Sequence, residues 1–375
     1  METYKLYDLA FFDQVVELIS IDDSYLQTEL NRNRSVRELN SYLHEIPVEQ
    51  IPEVVAGTNL CLEKLTSRSS IDRTQVGTIS RFGHSFKFDL RDNNFPMPLS
   101  KTISMKNIFT ELMWMMSGDT NITYLKENNC NIWNEWADEN GDLGPIYGHL
   151  WRNFGGEVDH PKSGFDQLNY LLQSVKNHLL GDRLASRRII LSAWDPRVLP
   201  TEKVPSDNVV LGRSALPPCH NLLQLHVNNR NELCGSLYMR SNDLALGQPY
   251  NICFYSMLMA IIVDLINRVD ELKTHNLRLG DLTFTIGDLH LYSNQIAQAI
   301  RQTSYINYIF EGDVGYNSGD NSYSRGVTLS ITDKGKLNLD DITVDALLEY
   351  ELSDFTFTKE IKHIEPLKFP YPIAV

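Results

Sequence analysis

The sequence predicts an α+β fold built around one large sheet, and three observations lead there. Four segments, RRIILSAW, NLLQLHV, LCGSLYMR and LTFTIGDLHLY, are rich in β-branched, apolar and aromatic residues and read as strands. Residues 105–117 and 165–179 carry apolar side chains at helical spacing. Residues 249–268 (PYNICFYSMLMAIIVDLINR) are apolar almost all round, the pattern of a helix buried on every side. Long helices mixed with strands that do not strictly alternate define the class.

Along the chain, Leu9, Phe12, Val16 and Ile19 fall at helical spacing and predict a short amphipathic helix over 8–19. A polar stretch with breaks at Pro47 and Pro52 follows. We therefore expect a boundary near residue 65. Residues 1–65 would be an N-terminal extension, a helical appendage that binds a partner or stabilises a dimer, and 66–375 the catalytic domain. SRFGHSFKFDL (80–90) reads as a strand. The helix over 105–117 places Ile108, Leu112 and Met115 on one side, and FDQLNYLLQSVKNHL (165–179) is a second amphipathic helix.

Composition narrows the function classes. At 375 residues, 42% hydrophobic and 22% charged, with ordinary Gly and Pro, the chain can bury a large core; collagen-like, low-complexity and largely disordered readings are excluded. Its 48 acidic residues against 34 basic ones give a net charge of -14, which disfavours a duplex nucleic-acid partner. Cys61, Cys130, Cys219, Cys234 and Cys253 are odd in number and lack metal-ligand spacing, so reduced thiols are expected, with no disulfide framework and no metal. The run from Ile252 to Ile266 is interrupted by Tyr255, Ser256 and Asp264, too short and polar for a membrane span. The N-terminus has acidic residues where a signal peptide needs a basic region. A cytoplasmic protein is expected.

The most informative stretch is Leu216-Pro217-Pro218-Cys219-His220. A thiol becomes a nucleophile when cations or oriented dipoles stabilise its anion; without them, a free cysteine is a buried structural residue. Cations that could converge on Cys219 are Arg73, Arg187, Arg188 and Arg240 with Ser241, a set whose guanidinium forks suit a phosphate dianion, although each alone could serve a surface ion pair. Glu111 interrupts an apolar helical window, where a carboxylate must be paired or used for proton transfer. His290 and Tyr292 alternate along a strand and share a face; they could hold a sugar hydroxyl or form a satisfied core pair. Asn251 is an amide on the buried helix, suited to reading a pyrimidine edge.

In this order, these residues resemble the thymidylate synthase family over roughly 66–375. The segments that carry the resemblance are DTNITYLKENNCNIWNEWADENGDLGPIYG, SRRIILSAW, LPPCHNLLQ, RSNDLALGQPYNI, GDLHLYSN and the terminal Ile373-Ala374-Val375. The resemblance implies a large mixed sheet packed by helices, dimerising sheet to sheet, and an enzyme acting on dUMP with 5,10-methylenetetrahydrofolate as co-substrate. It implies that Cys219 attacks C6 of the base, that Arg73, Arg240 and Ser241 bind the phosphate with Arg187 and Arg188 of a partner subunit, and that His290 and Tyr292 bind the 3′-hydroxyl. Gln224 and Asp243 join the nucleotide set, and Asn251 reads uracil. Glu111 would manage protons through ordered water, with Tyr147 and His220 assisting proton removal at C5. Trp133, Trp136, Leu216, Asp243, Leu246, Gly247, Tyr250 and the Val375 carboxylate would meet the folate.

Four places depart from the family's pattern: Gln75-Val76 in the first loop, Thr102 after Leu99-Ser100-Lys101, Leu150 after His149, and Gln295 after Ser293-Asn294. Looser closure would admit water to a methylene intermediate. That tips the expectation to a phage-type deoxyuridylate hydroxymethylase, in the host cytoplasm if viral. The alternatives are thymidylate synthase and, from another class, an inactive dimeric binding module.

Overall fold

The computed structural model describes residues 3–4, 7–20, 76–158, 160, 162–182, 187–311, 326–359, 366–368 and 371–372. The predicted strands assemble, with one addition, into a six-stranded mixed sheet. β1 is Thr3–Tyr4, β2 Thr78–Asp89, β3 Ile190–Ser192, β4 His220–Val227, β5 Glu232–Asp243 and β6 Arg278–Tyr292, in the spatial order β1-β2-β6-β5-β4-β3. β5 and β6 run parallel, as do β1 and β2; the remaining neighbours are antiparallel. A separate two-stranded sheet joins β7 (Val327–Ile331) to β8 (Phe355–Lys359).

The principal helices are α1 (Tyr7–Ser20), α2 (Met105–Ser117), α3 (Tyr147–Arg152), α4 (Gln167–Leu179), α5 (Gly247–Asn267) and α6 (Ile296–Glu311). Two of the predicted helices, α2 and α4, begin at a side-chain cap. Ser104 caps α2 by accepting from Asn107 N at 3.2 Å, and Gly118 closes it in the left-handed conformation at φ 85°. Asp166 caps α4 by accepting from Asn169 N at 2.9 Å. α5 is long and apolar enough by composition to cross a membrane, but most of it is buried inside the protein, packed on β5, β6 and α2. It is the core helix that the all-round apolar pattern predicts.

The N-terminal residues are built into this core. β1 pairs in parallel with β2 (Thr3 opposite Lys87, Tyr4 opposite Phe88), and α1 packs on β2 and α6. The stripe that meets the core is Tyr7, Ala10, Phe11, Val15 and Leu18. The predicted stripe was Leu9, Phe12, Val16 and Ile19, whose side chains lie outside the described set. Both stripes satisfy the 3.6-residue period, so periodicity alone could not choose between them. Residues 21–75, which hold the rest of the expected extension, also lie outside the described residues.

One face of the sheet is covered by α5, which packs on β5 and β6. The other carries apolar side chains in the open: Phe82 is 85% exposed, Leu222 36% and Tyr238 42%, with Leu222 directly opposite Tyr238 across β4 and β5. β4 and β5 are bulged between His220 and Leu222, next to Cys219.

If α1 is integral to the core, Phe11→Ala lowers the unfolding free energy by about 3–4 kcal/mol, as for a large buried aromatic truncated to a methyl group. Urea denaturation measures it, and a change below about 1 kcal/mol would mean that α1 is dispensable.

Candidate active site

The candidate nucleophile lies where β4 begins. Cys219 is half-buried, and three contacts hold it. Its amide donates to the Tyr147 hydroxyl at 2.7 Å, its carbonyl accepts from Arg240 N at 3.0 Å, and its Sγ lies 3.5 Å from Arg240 Nη2. Arg240 comes from β5, the strand beside β4, and the bulge brings its guanidinium over the preceding loop. There Nε donates to Pro218 O at 2.8 Å and Nη2 to Pro217 O, also at 2.8 Å. The two prolines have preset φ and no N–H, so their carbonyls are fixed as acceptors for one guanidinium fork. A cation held beside the sulfur stabilises negative charge on it. Of the four arginines expected to converge on the cysteine, Arg240 is the one that the described residues place beside it.

Around this pair sit three proton-bearing groups. His220 Nδ1 lies 3.1 Å from the Tyr255 hydroxyl. Burial holds the His220 imidazole down near 4, against an opposing hydrogen bond to the Asn251 side chain, so the ring is neutral at pH 7. Tyr147 is buried with its ring 5.0 Å from that of His220, and burial, followed by the nearby Cys219, raises its phenol well above the ordinary value; it remains a neutral hydroxyl. Glu111, on α2, accepts from Trp133 Nε1 at 2.8 Å. Burial pushes its carboxyl up to about 7, against that hydrogen bond, so it holds or releases a proton near neutrality.

An aromatic wall continues from here. Trp133 stacks edge-on with Trp136 at 5.9 Å and with Tyr147 at 6.0 Å. Leu216, Leu246 and Tyr250 pack half-buried against the core, and Gly247 opens α5. Asp243, at the end of β5, accepts from Ala245 N at 2.9 Å and Leu246 N at 3.0 Å and so shapes the turn into α5, the helix that carries Asn251. Ser241 is half-buried beside Arg240. On β6, the His290 and Tyr292 rings meet at 5.0 Å on the face they were expected to share. His290 Nδ1 already faces Asp288 O at 3.3 Å.

The remaining expected residues are placed differently. Arg187 and Arg188 are exposed before β3, and Gln224 lies on the open sheet face with its Nε2 donating to Arg187 O at 3.3 Å. Within one chain these three are displaced along the sheet from the Cys219 bulge. Arg73 and Val375 lie outside the described residues. The described residues include no cluster of His, Cys, Asp or Glu able to hold a metal ion. Sequence reasoning missed Tyr255, the partner of His220, although a tyrosine one helical turn from Asn251 in an otherwise apolar helix was a usable signal. It also missed Lys101 and Tyr371 as site residues, and read Gln295 only as a departure from the family's pattern. Lys101 Nζ donates to Ala245 O at 2.8 Å over the Tyr371 ring, and burial lowers its ammonium to about 8 against the Asp243 carboxylate.

A cysteine with an arginine beside its sulfur, flanked by neutral proton-transfer groups and an aromatic wall, is an arrangement chemically able to carry out nucleophilic addition to a flat heterocycle. The sequence model of the family described as thymidylate synthase matches residues 60–311, two thirds of the chain. A thymidylate synthase of Francisella tularensis subsp. holarctica (strain FTNF002-00 / FTA) is 44% identical over 234 residues, covering 62% of this chain and 77% of its own length. The thymidylate synthase of Francisella philomiragia subsp. philomiragia is 42% identical over the same extent. The chain belongs to the thymidylate synthase family.

The Glu111 shift has a consequence for stability. Between its ordinary value of 4.5 and about 7, the folded state keeps a proton that the unfolded chain has lost, so this contribution to stability declines as pH rises across that window and is level above it. Glu111→Gln is expected to remove the decline, read from urea midpoints at about pH 5 and about pH 8. An unchanged decline would place its origin elsewhere.

Proposed function

We propose that the protein is a thymidylate synthase, converting dUMP and 5,10-methylenetetrahydrofolate to dTMP and dihydrofolate. The observation that carries this reading is the Cys219 sulfur 3.5 Å from Arg240 Nη2, with its amide tied to the Tyr147 hydroxyl. Addition of the thiolate to C6 of uracil makes C5 nucleophilic, and the co-substrate supplies the one-carbon unit and then hydride. Arg240 serves twice in this account, stabilising the thiolate and, with Arg73 and Ser241, meeting the phosphate. Asn251 reads the base while holding neutral His220, which Tyr255 orients from its other side. Glu111, with its carboxyl near 7, exchanges the proton at O4, and the Tyr147 hydroxyl takes part in proton removal from C5. Elimination of the C6–S bond then returns Cys219.

The half-buried aromatic and apolar side chains of Trp136, Leu216, Leu246 and Tyr250, with buried Trp133 and the Asp243 carboxylate, suit a flat heteroaromatic bearing N–H donors, which is the chemistry of a folate ring. The open sheet face with Phe82, Leu222 and Tyr238 suits a second copy of the chain, and a sheet-to-sheet homodimer would bring Arg187 and Arg188 to a partner's phosphate site. A cytoplasmic enzyme is the corresponding location.

Reduction, and not hydration, is the better supported outcome, and the expectation of a hydroxymethylase is revised accordingly. The similar curated proteins carry the synthase name. Of the four departures, Leu150 is 1% exposed and packs in the core, where it adds no route for water. Gln295 Nε2 bridges Asp243 Oδ2 and Pro372 O at 3.1 Å each, which tightens the site. Thr102 is exposed with its amide bonded to Leu367 O at 3.0 Å, and Gln75 lies outside the described residues.

Incubation with dUMP and methylenetetrahydrofolate is expected to give a nucleotide heavier by CH2, with dihydrofolate absorbance rising in step. Cys219→Ala is expected to abolish both, a loss of more than about 10³-fold in kcat. A gain of CH2O without dihydrofolate would restore the hydroxymethylase reading, and full activity in Cys219→Ala would overturn the mechanism.

A further inference from the structure

The contacts that the mechanism does not use form a closed polar circuit on the co-substrate side of the site. It begins at Asp8 on α1, 1% exposed, whose carboxylate accepts from Leu99 N at 2.7 Å and Ser100 N at 3.0 Å. Ser100 Oγ accepts from Gln302 Nε2, on α6, at 3.0 Å, and Gln302 Oε1 accepts from the Tyr371 hydroxyl at 2.7 Å. Beyond Tyr371, the Pro372 carbonyl accepts from Gln295, whose amide also reaches Asp243. Asp243 organises the amides of Ala245 and Leu246, and the Ala245 carbonyl accepts from Lys101. Lys101 lies over the Tyr371 ring at 4.4 Å, one residue from Ser100, which closes the circuit. Two backbone bonds reinforce it: Leu367 N to Ser100 O at 2.9 Å and Thr102 N to Leu367 O at 3.0 Å.

This arrangement is costly unless it does something that apolar packing would not. A buried carboxylate that spends its acceptors on two backbone amides fixes the path of a loop in a way that a leucine at the same place could not. Asp8 and Tyr371 are separated by most of the chain, yet both are tied to one loop. What they hold is the turn at Asp243 to Leu246, the start of α5, where Tyr250 Oη also accepts from Ser104 N at 3.4 Å.

We propose that Asp8, Gln302 and Tyr371 are positioning residues for the co-substrate: by clamping the N-terminal helix and the C-terminal segment onto the Leu99–Thr102 loop, they fix the Asp243 turn and with it the surface that meets the folate. The assignment of that surface to folate rests on the proposed function; the mechanical coupling does not. The Ala245 and Leu246 amides donate to Asp243 and not to any of the three residues, so they report on transmission through the circuit.

The test uses the full-length protein with two variants. Tyr371→Phe removes one hydroxyl and keeps the ring under Lys101, so the fold is retained. Asp8→Asn leaves one acceptor and sets an amide donor against a backbone N–H. Hydrogen exchange is measured at the Ala245 and Leu246 amides, alongside dUMP affinity and the KM for methylenetetrahydrofolate. Both variants are expected to speed exchange at these two amides by about tenfold, the effect of one lost buried hydrogen bond transmitted through the circuit. Both are expected to raise the folate KM by about tenfold while dUMP affinity stays within about twofold. Exchange at Ala245 and Leu246 within about twofold of wild type in both variants overturns the proposal, and so does an equal loss of dUMP affinity. If the wild type itself makes no product from dUMP and folate, the synthase reading fails, while the exchange measurement still decides the coupling.

Discussion

Everything in the site depends on where the Arg240 guanidinium is held. It sits between β4 and β5 with its donors on Pro217 O and Pro218 O and one nitrogen left within reach of the Cys219 sulfur. Among the described residues none of its partners is a carboxylate, so its charge is not neutralised locally. Carbonyl acceptors position a cation without cancelling it, whereas an ion pair would do both. That leaves a full positive charge for the thiolate and for a substrate anion. The geometry exists because of three local features: two prolines that fix the approach to Cys219, a bulge that turns the start of β4, and the Arg240 amide bonds to Cys219 O and Asn221 Oδ1.

The proton-transfer groups are set by burial more than by charge. His220, Tyr147 and Glu111 are each shifted toward the neutral form, and in each case the largest cause is desolvation. A site built this way suits chemistry in which protons are shuttled while one anion, the thiolate, does the covalent work. It also explains the choice of partners. Neutral His220 is held by a hydroxyl and an amide, and Glu111 by an indole N–H, none of which would force ionisation.

Much of this was legible in the sequence because the relevant signals are local. The window IFTELMWMM specifies a helix and a lone carboxylate, and the structure shows both. The all-round apolar run of α5 and the Pro-Pro-Cys-His segment were equally direct. The misses are non-local. The circuit from Asp8 to Tyr371 joins residues separated by most of the chain, and nothing near Tyr371 announces that Lys101 and Gln302 meet it. Leu150 was read as a departure from the family's pattern, and nothing beside it in the chain shows that its position on α3 buries it in the core. The open face of Phe82, Leu222 and Tyr238 looks in sequence like ordinary strand composition, and its exposure among the described residues is what makes it an interface candidate.

The account stands on Arg240 making Cys219 a nucleophile while the other thiols stay inert. Burial raises the thiols of Cys130, Cys234 and Cys253, so they provide an internal contrast. The decisive measurement is the rate of iodoacetamide alkylation at each cysteine, followed by peptide mass across pH in wild type and Arg240→Gln without nucleotide. The account predicts that Cys219 reacts at least about tenfold faster than those three near neutral pH, and that Arg240→Gln slows Cys219 by about tenfold while leaving the others unchanged. Cys219 reacting no faster than those three thiols, or indifferent to Arg240→Gln, would contradict it.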